Sequence, residues 1–309
     1  MRKRTIVKSP TIIKIVVNPS KRQATNLNNL KKHQTQQIQI RQPAAISNPQ
    51  IPQNAAVSKQ HLINNKVNKQ SKIKYITRDI SPESIPKIKQ LKNHGNNKIL
   101  IIIGNGPSIN EIPLEQLKDN QHIHTLSINK PDSRLWPTTA WAFFDQSQLR
   151  RNEDLWNGYD GIIFNSTAIK RQKNNSIQIK NLGGKGFSKD LSKGLHIGRS
   201  SVFAAMQIGC WMGYDHIYIV GVDMNPQTQG PLHFYGTNPD VDPNIRKDRF
   251  KKEAEYYDYA ADLLNGEERN KFTFCSSENP WEFVNKFNKL DHKIAIDKIL
   301  EHVHRNYFV

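Results

Sequence analysis

Cysteine is nearly missing from this chain: two occur in 309 residues, Cys210 and Cys275, and neither belongs to a CxxC pair. That excludes a disulfide framework and a cysteine-based zinc site. Lone thiols in apolar stretches read as packing residues rather than nucleophiles. No apolar run approaches the roughly 20 residues needed to cross a bilayer. The isolated apolar segment Thr11 to Val17 carries Lys14 at its centre. Neither a long apolar leader nor a small-residue cleavage site is present, so retention in the cytoplasm is the expectation.

Acidic residues are scarce in the first third. Residues 1–98 hold 20 Lys or Arg but only Asp79 and Glu83, whereas residues 99–309 hold 25 of each sign, so the net charge of +18 belongs to the first segment. Aromatics are lacking there too, with none before Tyr75, while Asn and Gln abound. Such a segment cannot bury enough apolar surface to offset the entropy of ordering it. The expected organisation is a basic disordered arm over 1–75, a linker or helix over 76–96, and one folded domain over 97–309. About 20 cations with almost no anions would attract a polyanion such as nucleic acid. Sequence-specific readout is not indicated, because interleaved aromatics and a DNA-binding motif are both missing.

What is present from residue 76 onward is an alternation of helical and strand patterns. Ser81-Pro82-Glu83 resembles a helix start, and Ile85, Ile88 and Leu91 repeat at helical spacing until residues 94–97 stop them. Lys98 to Ile103 is apolar without alternation, the signature of a strand buried on both faces of a parallel sheet. Further short strands end on Asn129, Asp145 and Asn165, with a helical stretch around Ile112 to Leu117. Residues 170–195 read as irregular and glycine-rich. Residues 200–213 read as a buried helix closed by glycine, leading directly into a strand from His216 to Asp223. A helix over about 249–265, a strand over 272–275 and a helix over about 291–303 complete the pattern. The fold class is α/β, a Rossmann-like, mostly parallel sheet flanked by helices. In such sheets ligands bind beyond the carboxyl ends of the strands, where these polar residues collect.

The turn Gly104-Asn105-Gly106-Pro107-Ser108 follows the first strand. Its glycines permit close approach of a ligand, and its backbone N–H groups suit phosphate or ribose. It is not a dinucleotide fingerprint, since Ile109 stands where GxGxxG has its third glycine and Asn129 where an acid is usual. A plain strand-to-helix turn is the alternative. Arg199-Ser200-Ser201 places a guanidinium and two hydroxyls at a helix N-terminus, a favourable place for an anion, although Ser200 as a simple cap explains the pattern too. Asp223 puts a carboxylate at the ligand edge, a catalytic candidate that could orient a hydroxyl or bind a divalent metal, with a hydrogen bond to a neighbouring loop as the alternative. His233, in the loop beyond it, is the candidate general base, because imidazole titrates close to neutral pH, although its apolar and aromatic neighbours equally suit a packing histidine. The basic run Arg246, Lys247, Arg249, Lys251 and Lys252 could contact substrate phosphates, but with Glu253 and Glu255 adjacent it reads as a solvated helix face. Residues 276–284 read as a cap that packs Trp281 on the domain.

Ile103 to Ile109 followed by Glu111-Ile112, together with Ser200-Ser201 and the stretch Met212 to Asp223, resembles two families. They are the bacterial lipooligosaccharide sialyltransferases, which use CMP-sialic acid, and the 6-hydroxymethylpterin pyrophosphokinase-like proteins. The resemblance covers roughly residues 98–225 and implies a nucleotide-binding transferase domain. From the sialyltransferases it implies nucleotide-sugar contacts at Gly104, Asn105, Gly106, Pro107, Ser108, Asn129, Ser200 and Ser201, with a downstream histidine matched by region at His233. Asp145 replaces their third-strand asparagine and is closer to the pyrophosphokinase-like pattern. In that second pattern Asp145 and Asp223 would hold Mg²⁺ for pyrophosphoryl transfer from ATP. The tyrosine that assists the departing phosphate in the sialyltransferases falls at Asn225, which leaves that role unassigned. A third expectation, prompted by the arm, is a non-catalytic nucleic-acid-associated or assembly protein.

Overall fold

The computed structural model describes residues 79–226, 230–236, 242–276 and 279–308. The expected arm over 1–75 lies outside them. In chain order the elements are α1 (Ser84–Gln90), β1 (Ile99–Ile103), β2 (Ile123–Ile128), β3 (Ala140–Phe143), α2 (Gln146–Arg151), α3 (Glu153–Gly158), β4 (Ile162–Ser166) and β5 (Ser176–Ile179). Then follow α4 (Ser201–Met212), β6 (His216–Val220), α5 (Pro243–Leu263), α6 (Gly266–Asn270), β7 (Phe272–Cys275), β8 (Asn288–Leu290) and α7 (Ala295–Tyr307).

The eight strands of the described residues form one parallel sheet in the order β5-β4-β3-β2-β1-β6-β7-β8. The chain begins in the middle at β1 and works outward to β5. Helix α4 then returns it across one face to β6, on the other side of β1. The strand order therefore reverses between β1 and β6, which makes that junction the topological switch point.

The central strands are buried on both faces, and their side chains alternate between two cores. Leu100 and Ile102 of β1, Leu126 and Ile128 of β2, and Ile217 and Ile219 of β6 join α4 and α5 in one cluster. Ile99, Ile101 and Ile103 face the other way, against Leu114, Leu117 and the apolar stripe Ala295, Ile296, Ile299 and Val303 of α7. Farther along that second face, Trp141, Phe143, Trp156, Tyr159 and Ile163 form a separate aromatic cluster. Helix α4 lies close to the sheet because it presents small residues. A Cβ on Gly209 would stand 2.8 Å from Ile217 Cδ1 and 2.9 Å from Leu100 Cδ2. Gly213 ends the helix at φ 74°, a left-handed cap that suits glycine.

Several local expectations change. Residues 112–117 form no α-helix; two 3-10 turns, Pro107–Glu111 and Leu114–Leu117, carry the chain from β1 toward β2. The stretch read as irregular contains β5, and β8 was not foreseen. The strand expected to reach Asp223 ends at Val220. The long helix starts at Pro243, where Asp242 accepts a hydrogen bond from Asn244 N–H at 2.7 Å. The helix expected within 76–96 is α1, and it packs on the domain: Ile88 is buried, and Trp211 Nε1 donates to its carbonyl at 2.8 Å. Cys275 is buried and Cys210 partly so, and burial pushes both thiols up to about 12, as packing residues require. Trp281 donates from Nε1 to Met224 O at 3.0 Å, so the 276–284 segment does cap the domain. Among the described residues no helix is long and apolar enough to cross a membrane.

Candidate functional site

The turn after β1 is built against the end of β6. In-register pairing brings Ile103 opposite Val220, after which Gly104 N–H donates to Val220 O and Gly106 N–H to Gly221 O, each at 2.8 Å. A Cβ on Gly106 would collide with the Asp223 carboxylate and lie 2.8 Å from Gly221 O, so only glycine lets the two chain segments meet this closely. Asp223, 6% exposed, accepts from Ser108 N–H at 2.9 Å and from Ser108 Oγ–H at 2.6 Å. Both its oxygens are thus engaged by the turn. Asn105 extends the lattice: its Nδ2 donates to Lys130 O at 2.9 Å, and its carbonyl accepts from Phe234 N–H at 3.0 Å. That last bond holds the loop bearing His233 beside the turn.

Asn129 follows β2 in the left-handed region at φ 55°. Its backbone is fixed by Ala142 O at 2.9 Å and by Trp141 Nε1 at 2.8 Å, and its Oδ1 accepts from Ser201 Oγ–H at 3.3 Å. The end of β2 is thereby tied to the start of α4. Gly198 and Arg199 enter that helix at φ 58° and 64°. Ser200 occupies the N-cap position with extended backbone but does not cap with its side chain. Its hydroxyl instead pairs with Tyr257 Oη at 3.0 Å. The first N–H groups of α4, which have no intrahelical acceptor, consequently lack a side-chain cap. Asp145 caps α2, accepting from Ser147 N–H at 2.7 Å.

These segments surround one cleft of about 830 Å³ over the carboxyl ends of the strands at the switch point. Asn105, Gly106, Pro107, Asn129, Asp145, Arg199, Ser200, Ser201, Asp223 and His233 all line it. Gly104 and Ser108 stand behind the wall and support it.

The cleft has lining groups that the sequence reading did not assign to it, Asn181, Gly183 and Gly184 on one side and Phe250, Glu253 and Tyr256 of α5 on another, and it is lined too by Arg249, weighed above only as a phosphate contact. The solvated-face reading holds for Lys247, Lys251 and Lys252, which are exposed, but fails for Glu253, which is 7% exposed. The signal lay in the spacing. Phe250, Ala254, Tyr257, Ala261 and Leu264 form a helical apolar stripe, and Glu253 sits on its edge.

Burial acts in opposite senses on the two titratable groups of interest. It holds the His233 imidazole below its usual range, with nearby Arg249 and Arg151 adding to the effect against a hydrogen bond to Asn105. It raises the Glu253 carboxyl, against a lowering influence from the Ser200 hydroxyl and Arg249. Among the described residues no group of three or more His, Cys, Asp or Glu is placed to hold a metal ion.

No protein-family model matches the chain, and no curated protein matches it either. Among solved structures it is similar to the Maf glycosyltransferase of Magnetospirillum magneticum AMB-1, with a TM-score of 0.44 and 12% identity over 72% of this chain. The chain spans only 42% of that protein's length. It is also similar to the sialyltransferase CST-II in complex with a trisaccharide acceptor and CMP, at TM-score 0.34 and 12% identity, covering 63% of this chain and 87% of the other. The sialyltransferase CstII from Campylobacter jejuni in complex with cytidine-5'-monophosphate gives TM-score 0.35 and 13% identity, covering 63% and 86%. These structural neighbours are glycosyltransferases, and a likeness this distant carries no argument about the reaction.

Proposed function

We propose that the chain is a nucleotide-sugar-dependent glycosyltransferase of sialyltransferase-like type. One observation carries the reading: apart from Gly104 and Ser108, the sequence-predicted nucleotide contacts line one cleft at the β1/β6 switch point together with the candidate base. Its volume of about 830 Å³ lies within the usual range for small-molecule sites. The turn from Gly104 to Ser108 forms the floor against which the nucleotide lies. The uncapped N-terminus of α4, with Arg199 beside it, receives the phosphate. His233, kept neutral by burial, takes the proton from the acceptor hydroxyl. Rate enhancement comes from positioning and from stabilising the leaving phosphate.

Pyrophosphoryl transfer from ATP is less well supported. The carboxylates that would hold Mg²⁺ already serve the fold, since both Asp223 oxygens accept from Ser108 and one Asp145 oxygen caps α2. Equilibrium binding of CMP, UDP, GDP and ATP, with turnover of CMP-sialic acid in the presence of EDTA, tests the reading. CMP binding with chelator-insensitive turnover is the expected result. Preference for ATP with activity lost on chelation would favour pyrophosphoryl transfer, and no binding at all would sink both.

A further inference from the structure

Three carboxylates line the cleft, and two are spoken for by the fold: Asp223 by Ser108, Asp145 by the start of α2. Glu253 is the third. It is 7% exposed, lies on the wall formed by α5, and faces the cleft beside Ser200, at the N-terminus of α4 where backbone N–H groups lack a side-chain cap. Tyr257, one turn along the same helix, fixes the Ser200 hydroxyl at 3.0 Å. Among the described residues Glu253 forms no ion pair, and a buried acid beside the Ser200 hydroxyl, set against an anion-accepting helix end, is suited to present a proton rather than a negative charge.

We propose that Glu253 is the general acid of the site, delivering its proton to the phosphate oxygen that departs from the sugar. The inference rests on the glycosyl-transfer reading above. As the sugar–phosphate C–O bond breaks, its electron pair stays on the phosphate oxygen, which takes the proton of Glu253. The acceptor oxygen forms the new C–O bond and gives its proton to His233. The step ends with a Glu253 carboxylate and a His233 imidazolium, which reset by exchanging the proton with solvent. Their environments fit these roles, because burial favours the neutral form of each. The role left unassigned at Asn225 thereby passes to α5.

The charged and titratable groups around Glu253 are Arg249, Tyr256 and Tyr257 of its own helix, Arg199 before α4, Asp223 after β6 and His233 in the next loop. On the other side of α5, Lys286 is held by Asp258 and Asp262.

The test measures CMP affinity and CMP-sialic acid turnover against pH for the full chain and for Glu253→Gln and Glu253→Asp. Glu253→Gln is expected to lower turnover by about 10²-fold or more while leaving CMP affinity within about threefold, and to abolish the alkaline limb of the rate profile. Glu253→Asp keeps that limb and loses less. A Gln variant that retains turnover, or retains the alkaline limb, overturns the acid role alone. A wild type that neither binds CMP nor turns over the donor overturns the glycosyl-transfer reading with it. If the Gln variant does not fold, the other two proteins decide. A wild-type profile with no alkaline limb, or an Asp variant without one, removes Glu253 from the mechanism.

Discussion

The contact between Asp223 and Ser108 joins the two strands that flank the switch point, and its removal is a direct measure of what holds the cleft open. The carboxylate is 6% exposed and receives two hydrogen bonds from one residue, at 2.6 and 2.9 Å. Hydrogen bonds to a charged acceptor contribute about 1.5–3 kcal/mol each, against roughly 1 kcal/mol for neutral pairs. Asp223→Asn preserves both bonds in neutral form, because the Ser108 hydroxyl can turn to accept from the new amide while the amide oxygen accepts from Ser108 N–H. The expected loss is therefore about 1–2 kcal/mol. Asp223→Ala strands two buried donors and should lose about 3–5 kcal/mol. For a domain of this size those losses correspond to falls in Tm of about 3–6 °C and 8–15 °C. Ser108→Ala keeps the backbone bond, so a double-mutant cycle between the two positions should give a coupling of about 1–2 kcal/mol. Calorimetry or denaturant titration of the four proteins is the assay. A folded Asp223→Ala protein with an unchanged midpoint but lost turnover would refute the reasoning and assign the carboxylate to the substrate instead.

His233→Ala should lower kcat by roughly 10²-fold or more with donor affinity nearly unchanged, and unaltered turnover would remove it as the base. Gly106→Val should abolish CMP binding in a folded protein, since its side chain would occupy the space of the Asp223 carboxylate; retained affinity would show that the turn does not meet the nucleotide. At the amino-terminal ends of β2 and β6, away from the cleft, burial holds His124 and His216 down to about 4. The unfolded chain binds those protons first, so stability present above about pH 6.5 is lost as pH falls toward 4, by about 2–3 kcal/mol for each residue. His124→Gln should flatten that dependence in melts at pH 7 and pH 5, and an unchanged slope would refute it. Finally, the full chain should bind a polyanion with an affinity that falls steeply between roughly 50 and 200 mM salt, and a protein starting at residue 79 should not. Equal binding by the two would place the polyanion site in the folded domain.

The central strands were legible because they are buried on both faces, which demands unbroken apolar runs such as Ile99 to Ile103. Strands at the sheet edges obey no such demand. In β8 the residues Asn288 and Lys289 are exposed, and β5 carries the half-buried Gln178 between Ile177 and Ile179, so neither produces a run that distinguishes it from a loop. The 3-10 turns after β1 escaped for a related reason. Ile109, Ile112, Leu114 and Leu117 are buried at spacings of two to three residues, which a helical reading absorbs too readily.

The site divides along the same physical line. Residues that follow a strand end are placed by the sheet itself, so Asn105, Asn129, Asp145 and Asp223 come together whatever the loops do. Helix α5 reaches the cleft by packing across the face of the sheet, and its sequence carries that fact only as an acid at the edge of an apolar stripe, with cations close by in sequence. The local charge pattern is that of a solvated surface, yet the helix turns Lys247, Lys251 and Lys252 outward and Glu253 inward. A neutral acid can occupy that position without an ion pair, whereas an ionised one would oppose any anion arriving at α4. The helix that the charge run disguises is thus the one that brings the cleft its third carboxyl group, and that group's protonation state decides whether α4 can receive a phosphate.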